Sequence, residues 1–399
     1  MHRQPIYYRA LAVLLTLGGS LHLPAYAGRE LSADEVAGGI QPINAVEPLV
    51  LPVQPQKKWR LDGTLSATAV YNDNIFISSS GKTDDFIFSI SPSFLLTLGA
   101  PNSEAAGYLT LHYAPAFVHY AEHSDLDALN HAALFTTGYR FSRLSVGMSL
   151  GYQKGREADA EVGTLVDRKN YSAALTSRYQ LTDRSSVDLS LSKSFSDYEG
   201  FLDVSDTVLQ GHFNTKITEA ITLGVGLAHG SAEASGSSAR SYQQLTVRGA
   251  YTATERLVVT ANAGGDFRDG QFSPIFGLGA NYKPFDSTEV AFTGSRSILP
   301  SAVFVDQDRA VTSFFASVRQ RFLQRYFLTP SVGYDQTEYR GSGDESRSDS
   351  ALTFGLSAAT NLTERWGVQV FYQYRRNTST VESFTFTNQQ IGVSSSISF

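Results

Sequence analysis

The 399-residue chain contains no cysteine. A disulfide scaffold is therefore excluded, whatever compartment the chain reaches. Beyond the first thirty residues no apolar run is long enough to cross a bilayer as a helix. Proline is sparse after residue 60, and tryptophan occurs only twice against 20 Tyr and 25 Phe. The net charge of −6 is mild and gives no sign of a nucleic-acid partner. The glycines nowhere adopt the spacing of a phosphate-binding loop, so no nucleotide cofactor is expected.

What is present begins with an export signal. Arg3 and Arg9 precede an apolar run through Leu14, Leu15 and Leu17, and the small residues Ala25–Ala27 follow. This is the pattern of a signal peptide over residues 1–27, cut after Ala27. Residues 28–58 carry Pro42, Pro48, Pro52 and Pro55 without a stable period. They read as an extended periplasmic lead-in, with a small plug or docking arm as the alternative.

From Trp59 to Phe399 the texture is strand-like. In "FIFSISPSFLLTL", Phe86, Phe88, Ile90, Phe94, Leu96 and Leu98 share one parity, while Ser89, Ser91, Ser93 and Thr97 share the other. At the end of the chain Ile391, Val393, Ile397 and Phe399 oppose Gly392, Ser394, Ser396 and Ser398. Strand side chains alternate between faces, so each run has an apolar face and a small polar one. The runs are about ten residues long, enough to cross hydrocarbon when tilted. Short connectors such as 141–143, 182–185 and 363–365 take turns with long ones such as 71–85, 157–169 and 299–308. Short periplasmic turns and longer outer loops produce that rhythm in an outer-membrane barrel; a secreted β-sandwich gives no reason for it. The expected fold is an all-β, membrane-spanning, antiparallel up-and-down barrel of about 18 strands, with 16 as the alternative.

Several positions strain the pattern. Pro92, Pro115, Pro274 and Pro330 fall within strands, where bulges or kinks are expected. Lys193 and Arg296 fall on the lipid-facing parity near strand tops, where their side chains can snorkel to headgroups. The segment "ESFTFTNQQ" changes parity before the last strand.

Turning the polar parity inward gives a lumen rich in Ser, Thr, Gly and Gln. Its charges are mainly basic: Arg140, Arg143, Arg178, Lys216, Arg248, Arg256, Arg268, Arg319, Arg321, Arg365 and Arg375. The inward acids are Asp188, Asp266, Glu289 and Asp335. Fixed positive charge along a pore concentrates anions. The competing reading is that these charges balance one another and stiffen the wall.

No catalytic set can be named. His112, His119, His123 and His131 gather around one connector, but spacing supplies no nucleophile and no orienting partner. His112 and His119, seven apart, point to opposite faces of a regular strand. The carboxylates of 124–130 and 342–349 match no calcium-loop template, and no metal site is expected. The N-terminal segment is also too short for the plug domain of an energised transporter.

The segment "AVYNDNIFISSSGKTDDFIFSISPSFLLTLG" carries Tyr71, Asp73, Asn74, Ile75 and Phe76, then Asp84, Asp85, Phe86, Ser91 and Pro92. Tyr120, Ala121, Ser124, Asp127 and His131 follow in a "Y-A-x-x-S-x-x-D-x-x-x-H" stretch. These motifs resemble the opening of the outer-membrane beta-barrel porin family associated with exopolysaccharide clusters. The terminal Phe399 also resembles the signal read by the barrel assembly machinery. The resemblance implies a Gram-negative outer-membrane protein in contact with lipopolysaccharide. It implies a conduit for exopolysaccharide export served by a periplasmic polysaccharide export protein. The alternative is a general or anion-preferring diffusion porin for small solutes. A polymer conduit calls for a wide, open lumen; a diffusion porin calls for a loop folded inward. The longest connectors, 71–85 and 157–169, look modest for that second role.

Overall fold

The computed structural model describes residues 59–99, 107–254, 256–340 and 346–399. The expected signal peptide and the proline-rich lead-in lie outside the described residues. The described residues form eighteen strands. The first six are β1 (Trp59–Asn72), β2 (Asp85–Gly99), β3 (Gly107–Tyr120), β4 (Ala128–Arg140), β5 (Leu144–Asp159) and β6 (Thr164–Gln180). Then come β7 (Ser185–Tyr198), β8 (Val204–Lys216), β9 (Ile221–Ala234), β10 (Arg240–Thr254), β11 (Leu257–Arg268) and β12 (Gln271–Phe285). The ring is completed by β13 (Thr288–Pro300), β14 (Asp308–Phe322), β15 (Tyr326–Arg340), β16 (Ser348–Asn361), β17 (Trp366–Ser379) and β18 (Phe386–Ser398).

Each strand pairs antiparallel with its neighbours in sequence, and β1 closes on β18 from Thr64↔Ser398 to Asn72↔Gln390. Closure removes the open edge that hydrocarbon could not satisfy. Phe86, Phe88 and Ile90 face outward and are exposed, as are Ile391, Val393 and Ile397 on β18. Their polar neighbours Ser89, Ser91, Ser394 and Ser396 face inward. A ring with an exposed apolar exterior and a polar interior is a transmembrane barrel. The apolar clusters inside are small groups near the outer mouth, such as Ile275, Ile298 and Ala310. Among the described residues all eighteen strands belong to this one sheet, which removes the sandwich alternative.

The prolines act differently from the expectation. Pro92 on β2 and Pro115 on β3 stand opposite each other, and the β2–β3 ladder lapses between Ile90↔Phe117 and Phe94↔Tyr113 without changing register. The β14–β15 ladder lapses in the same way beside Pro330, between Ser317↔Ser331 and Gln320↔Leu328. Two missing donors facing one gap need no bulge. True register shifts occur instead at the periplasmic ends of β10 and β12.

The outer connectors are shorter than the sequence suggests, because the strands run on past the bilayer. β5 and β6 are 16 and 17 residues long and leave only residues 160–163 as their turn. Asp269 and Gly270 join β11 to β12 with φ of 47° and 74°. That is the mirror-image hairpin turn an Asp-Gly pair favours, and "RDGQ" carries the signal openly. The parity change near residue 384 has a simple cause: a 3-10 turn at Glu382–Phe384 precedes β18, which starts at the buried Phe386.

One edge turns in from the wall, while β14 stays paired with β15 up to Asp308↔Arg340. The β12–β13 ladder stops at Phe276↔Arg296, whereas β13 and β14 stay paired to Pro300↔Asp308. The outer half of the β13–β14 hairpin thus bends into the lumen, and β13 comes within 8 Å of β9 between Cα atoms. Space for it comes from β9, whose inward positions are Gly224, Gly226, Ala228, Gly230, Ala232 and Ala234. Arg296, expected to snorkel into lipid, is instead covered by this bend: it donates to Thr312 at 2.5 Å and lies 3.6 Å from Glu338. Lys193 remains outward and exposed on β7, as expected.

Candidate functional site: the lumen and its outer constriction

Two hairpin tips from opposite walls meet over the lumen. The β5–β6 tip, residues 160–163, crosses toward β14, β16 and β18. The loop 301–307 of the inward-bent β13–β14 hairpin receives it. Glu161 is buried, at 4% exposure. Its Oε1 accepts hydrogen bonds from Ser301 Oγ and from the Ala302 backbone N–H, both at 2.8 Å. Its Oε2 lies 3.2 Å from the Arg309 guanidinium. Burial pushes the Glu161 carboxyl above the usual carboxylate range, with Arg309 and the two donors opposing that rise.

The tip is held at two further points. Arg347 donates to the backbone carbonyls of Glu161 and Ala160, both at 2.7 Å, and pairs with Asp349 at 2.6 Å. Its guanidinium sits 3.4 Å from the centre of the Phe384 ring. Val162 packs with Ala302, Tyr198 and Val166, and Ala160 packs with Ile77 and Phe386. Gly163 has φ of 80°, and a Cβ there would stand 2.7 Å from the Phe384 ring. Only glycine suits both the turn and that approach. Beneath the tip is a cavity of about 20 Å³ with Glu161, Arg309, Asp335, Asp349 and Arg375 on its walls. That is room for a single water.

The expected lumen charges fall into paired groups and a set of further cations at the periplasmic rim. Inward arginines stand beside acids from near the periplasmic end of β7, at Asp188, up to the outer end of β11, at Arg268. Asp188 takes Arg178 at 2.7 Å and Arg248 at 2.6 Å. Arg268 pairs with Asp266 at 2.9 Å and reaches Asp308 at 3.3 Å. Arg375 and Asp335 line one cavity. Further cations stand at the periplasmic rim. Arg140 and Lys216 end β4 and β8, and Arg319 and Arg321 lie in the last four residues of β14. Arg143, Arg256 and Arg365 are not on the wall at all: they sit in the turns before β5, β11 and β17, where the strands have already ended. Glu289 faces inward near this rim, accepting from Asn281 at 2.8 Å with Lys283 at 3.7 Å.

The histidines do not converge. His112 faces the lumen and bonds Ser93 at 2.8 Å, while His119 points outward to Asp127 at 2.8 Å. That bond holds the Asp127 carboxyl below its usual range. His123 bonds Asp85 and His131 bonds Tyr113. Among the described residues no group of three His, Asp or Glu side chains could hold a metal ion.

The "Y-x-D-N-I-F" motif turns out to close the ring. Asn74, 0% exposed, donates to the carbonyls of Ser78 and Thr387 at 2.9 and 3.0 Å, and its Oδ1 accepts from the Ser78 N–H at 2.9 Å. Asn388 donates to Asn72 Oδ1 at 2.6 Å, and the Gln389 N–H donates to Asp73 at 2.6 Å. The other end of the seam is fixed by Phe399, whose N–H and C=O both bond Gly63.

No family model matches the sequence, and no curated protein matches it; the resemblance to the exopolysaccharide-associated family therefore gains no support. Solved structures of similar fold include OccAB4 of Acinetobacter baumannii, at 10% identity and TM-score 0.47, covering 86% of this chain and 99% of that one. OpdQ of Pseudomonas aeruginosa is similar at 10% identity and TM-score 0.46, covering 86% and 97%. The siderophore receptor PirA of Pseudomonas aeruginosa is similar at 9% identity and TM-score 0.44, covering 87% and 81%.

Proposed function

We propose that the chain is an outer-membrane channel for small polar solutes, with a preference for anions, rather than a conduit for exopolysaccharide. The observation that supports this most is the meeting of Glu161 with Ser301, Ala302 and Arg309 across the mouth. A polymer conduit calls for a wide outer exit, and two hairpins folded over the lumen narrow it. Anion preference is argued from the periplasmic rim, where Arg140, Arg178, Lys216, Arg319 and Arg321 outnumber Asp62, Asp188 and Glu289 on the inward parity. Fixed charge in a confined mouth raises the local concentration of oppositely charged solute. The apolar exterior and closed ring suit insertion by the barrel assembly machinery into the outer membrane, with lipopolysaccharide around the outer loops.

The test is flux through proteoliposomes. Small sugars and small organic anions should enter at rates set by size and charge, anions faster at equal size. Long polysaccharide should be excluded. Passage of polysaccharide at rates comparable to small sugars would restore the export reading, together with its periplasmic partner.

A further inference from the structure

The groups that receive Glu161 belong to one short piece of chain, and that piece is assembled without Glu161. Ser301 N–H donates to the Gln307 carbonyl at 3.0 Å, and the N–H groups of Val303 and Phe304 both donate to Ser301 Oγ at 3.1 Å. The Ala302 carbonyl accepts from the Leu202 N–H at 2.9 Å, tying the loop to the β7–β8 connector. Ser301 Oγ–H, the Ala302 N–H and the Arg309 guanidinium therefore converge on one point from a fixed frame. Their ligand is delivered by a different hairpin, from the other side of the lumen. Two neutral donors and a guanidinium around one carboxylate make an oxyanion receptor.

We propose that this receptor is a binding site for small oxyanions, occupied in the closed channel by the chain's own Glu161 carboxylate, and that a free oxyanion in the lumen competes for it and releases the β5–β6 tip. The inference rests on the channel reading for its physiological meaning, but the site itself does not. Competition is feasible because the occupant gains little: its carboxylate loses water on burial and its own backbone strand neighbour Asp159 is also acidic. A ligand that favours the released state shifts the population in proportion to its preference for that state.

The absence of native cysteine allows a direct measurement on the full chain. Val162→Cys places a thiol at the tip, where Val162 is 8% exposed against Ala302 and Tyr198. Its labelling by a maleimide, in detergent, is compared in chloride and in acetate or sulfate at equal ionic strength. The expected result is slow labelling in chloride and labelling roughly threefold faster or more in the oxyanion, the shift expected at a few times the dissociation constant. With Glu161→Ala added, labelling should be fast in both salts. In an Arg309→Ala background, acetate and sulfate should lose their effect. Equal labelling in chloride and oxyanion for Val162→Cys alone overturns the proposal, as does an undiminished oxyanion effect in the Glu161→Ala background. Labelling does not depend on conductance, so failure of the channel reading would leave a separate signature: proteoliposomes impermeable to every solute while labelling still responds to acetate.

Discussion

Glu161 and Ala302 stand 141 positions apart in sequence, and a 2.8 Å hydrogen bond joins the carboxylate of one to the backbone N–H of the other. They come from hairpins rooted in opposite walls of an eighteen-strand ring. That contact spans the outer mouth of the ring.

The first concerns locking. Val162 and Ala302 share one buried cluster. The pair Val162→Cys with Ala302→Cys, in a chain with no other cysteine, should cross-link under mild oxidation. Channel current should fall on oxidation and recover with reductant. Current indifferent to a cross-link proven by mass would mean that the tip does not obstruct the path.

The second concerns pH. The Glu161 carboxyl is raised by burial and by Asp159, and lowered by Arg309; Arg347, Asp349, Tyr339 and Tyr198 also stand around the tip. Because the docked carboxyl is raised, its contribution to docking is fully present below the ordinary carboxylate value. It is lost as pH climbs through the raised value. The open fraction of single channels should therefore increase from acid to neutral pH. A flat profile, or one of opposite slope, would contradict this account of the docked carboxylate.

The third concerns selectivity. Asp188 lies between Arg178 and Arg248 and also accepts from Asn214 at 3.1 Å. Asp188→Asn leaves both cations without their carboxylate and removes one negative charge from the lumen. The anion-to-cation permeability ratio should rise, and the fold should lose about 1–3 kcal/mol. Reversal potentials under a salt gradient measure the ratio. No change there would place the Asp188 cluster outside the ion path.

The fourth concerns the seam. Asn74 makes three side-chain hydrogen bonds at the outer end of β1 and β18. Asn74→Ala should cost about 1–3 kcal/mol, by leaving buried carbonyls and an amide unsatisfied. The folded band on an unheated detergent gel should convert to the unfolded band at a lower temperature than wild type. Unchanged heat-modifiability would remove Asn74 from ring closure.

Much of this architecture could be read directly from the sequence. Period-2 alternation in stretches such as Phe86–Leu98 and Ile391–Phe399 marks which face meets lipid, and it predicts the strand number and the orientation of Asp188, Asp266 and Asp335. It could not predict where strands stop. Arg143, Arg256 and Arg365 continue the inward parity of their runs, yet each lies in a turn, because parity persists in sequence after the ladder has ended. The constriction was hidden for a related reason. The stretch 157–169 is nearly all strand, and the projection of its tip over the lumen depends on partners 140 to 190 positions away: Ser301, Arg309 and Arg347. Arg296 misleads for the same cause, since its lipid-facing parity is covered only once the β13–β14 hairpin bends. Two local signals were available, the Asp269-Gly270 hairpin pair and the small-residue inward face of β9. The second marks where another element can approach.

A closed ring that is apolar outside and polar within should conduct ions. Recording ion current from the purified chain in a planar bilayer tests it most directly. Discrete, stepwise openings are expected, and their size should grow when Glu161→Ala frees the tip. A bilayer that contains the inserted protein and stays electrically silent for wild type and Glu161→Ala alike would contradict it.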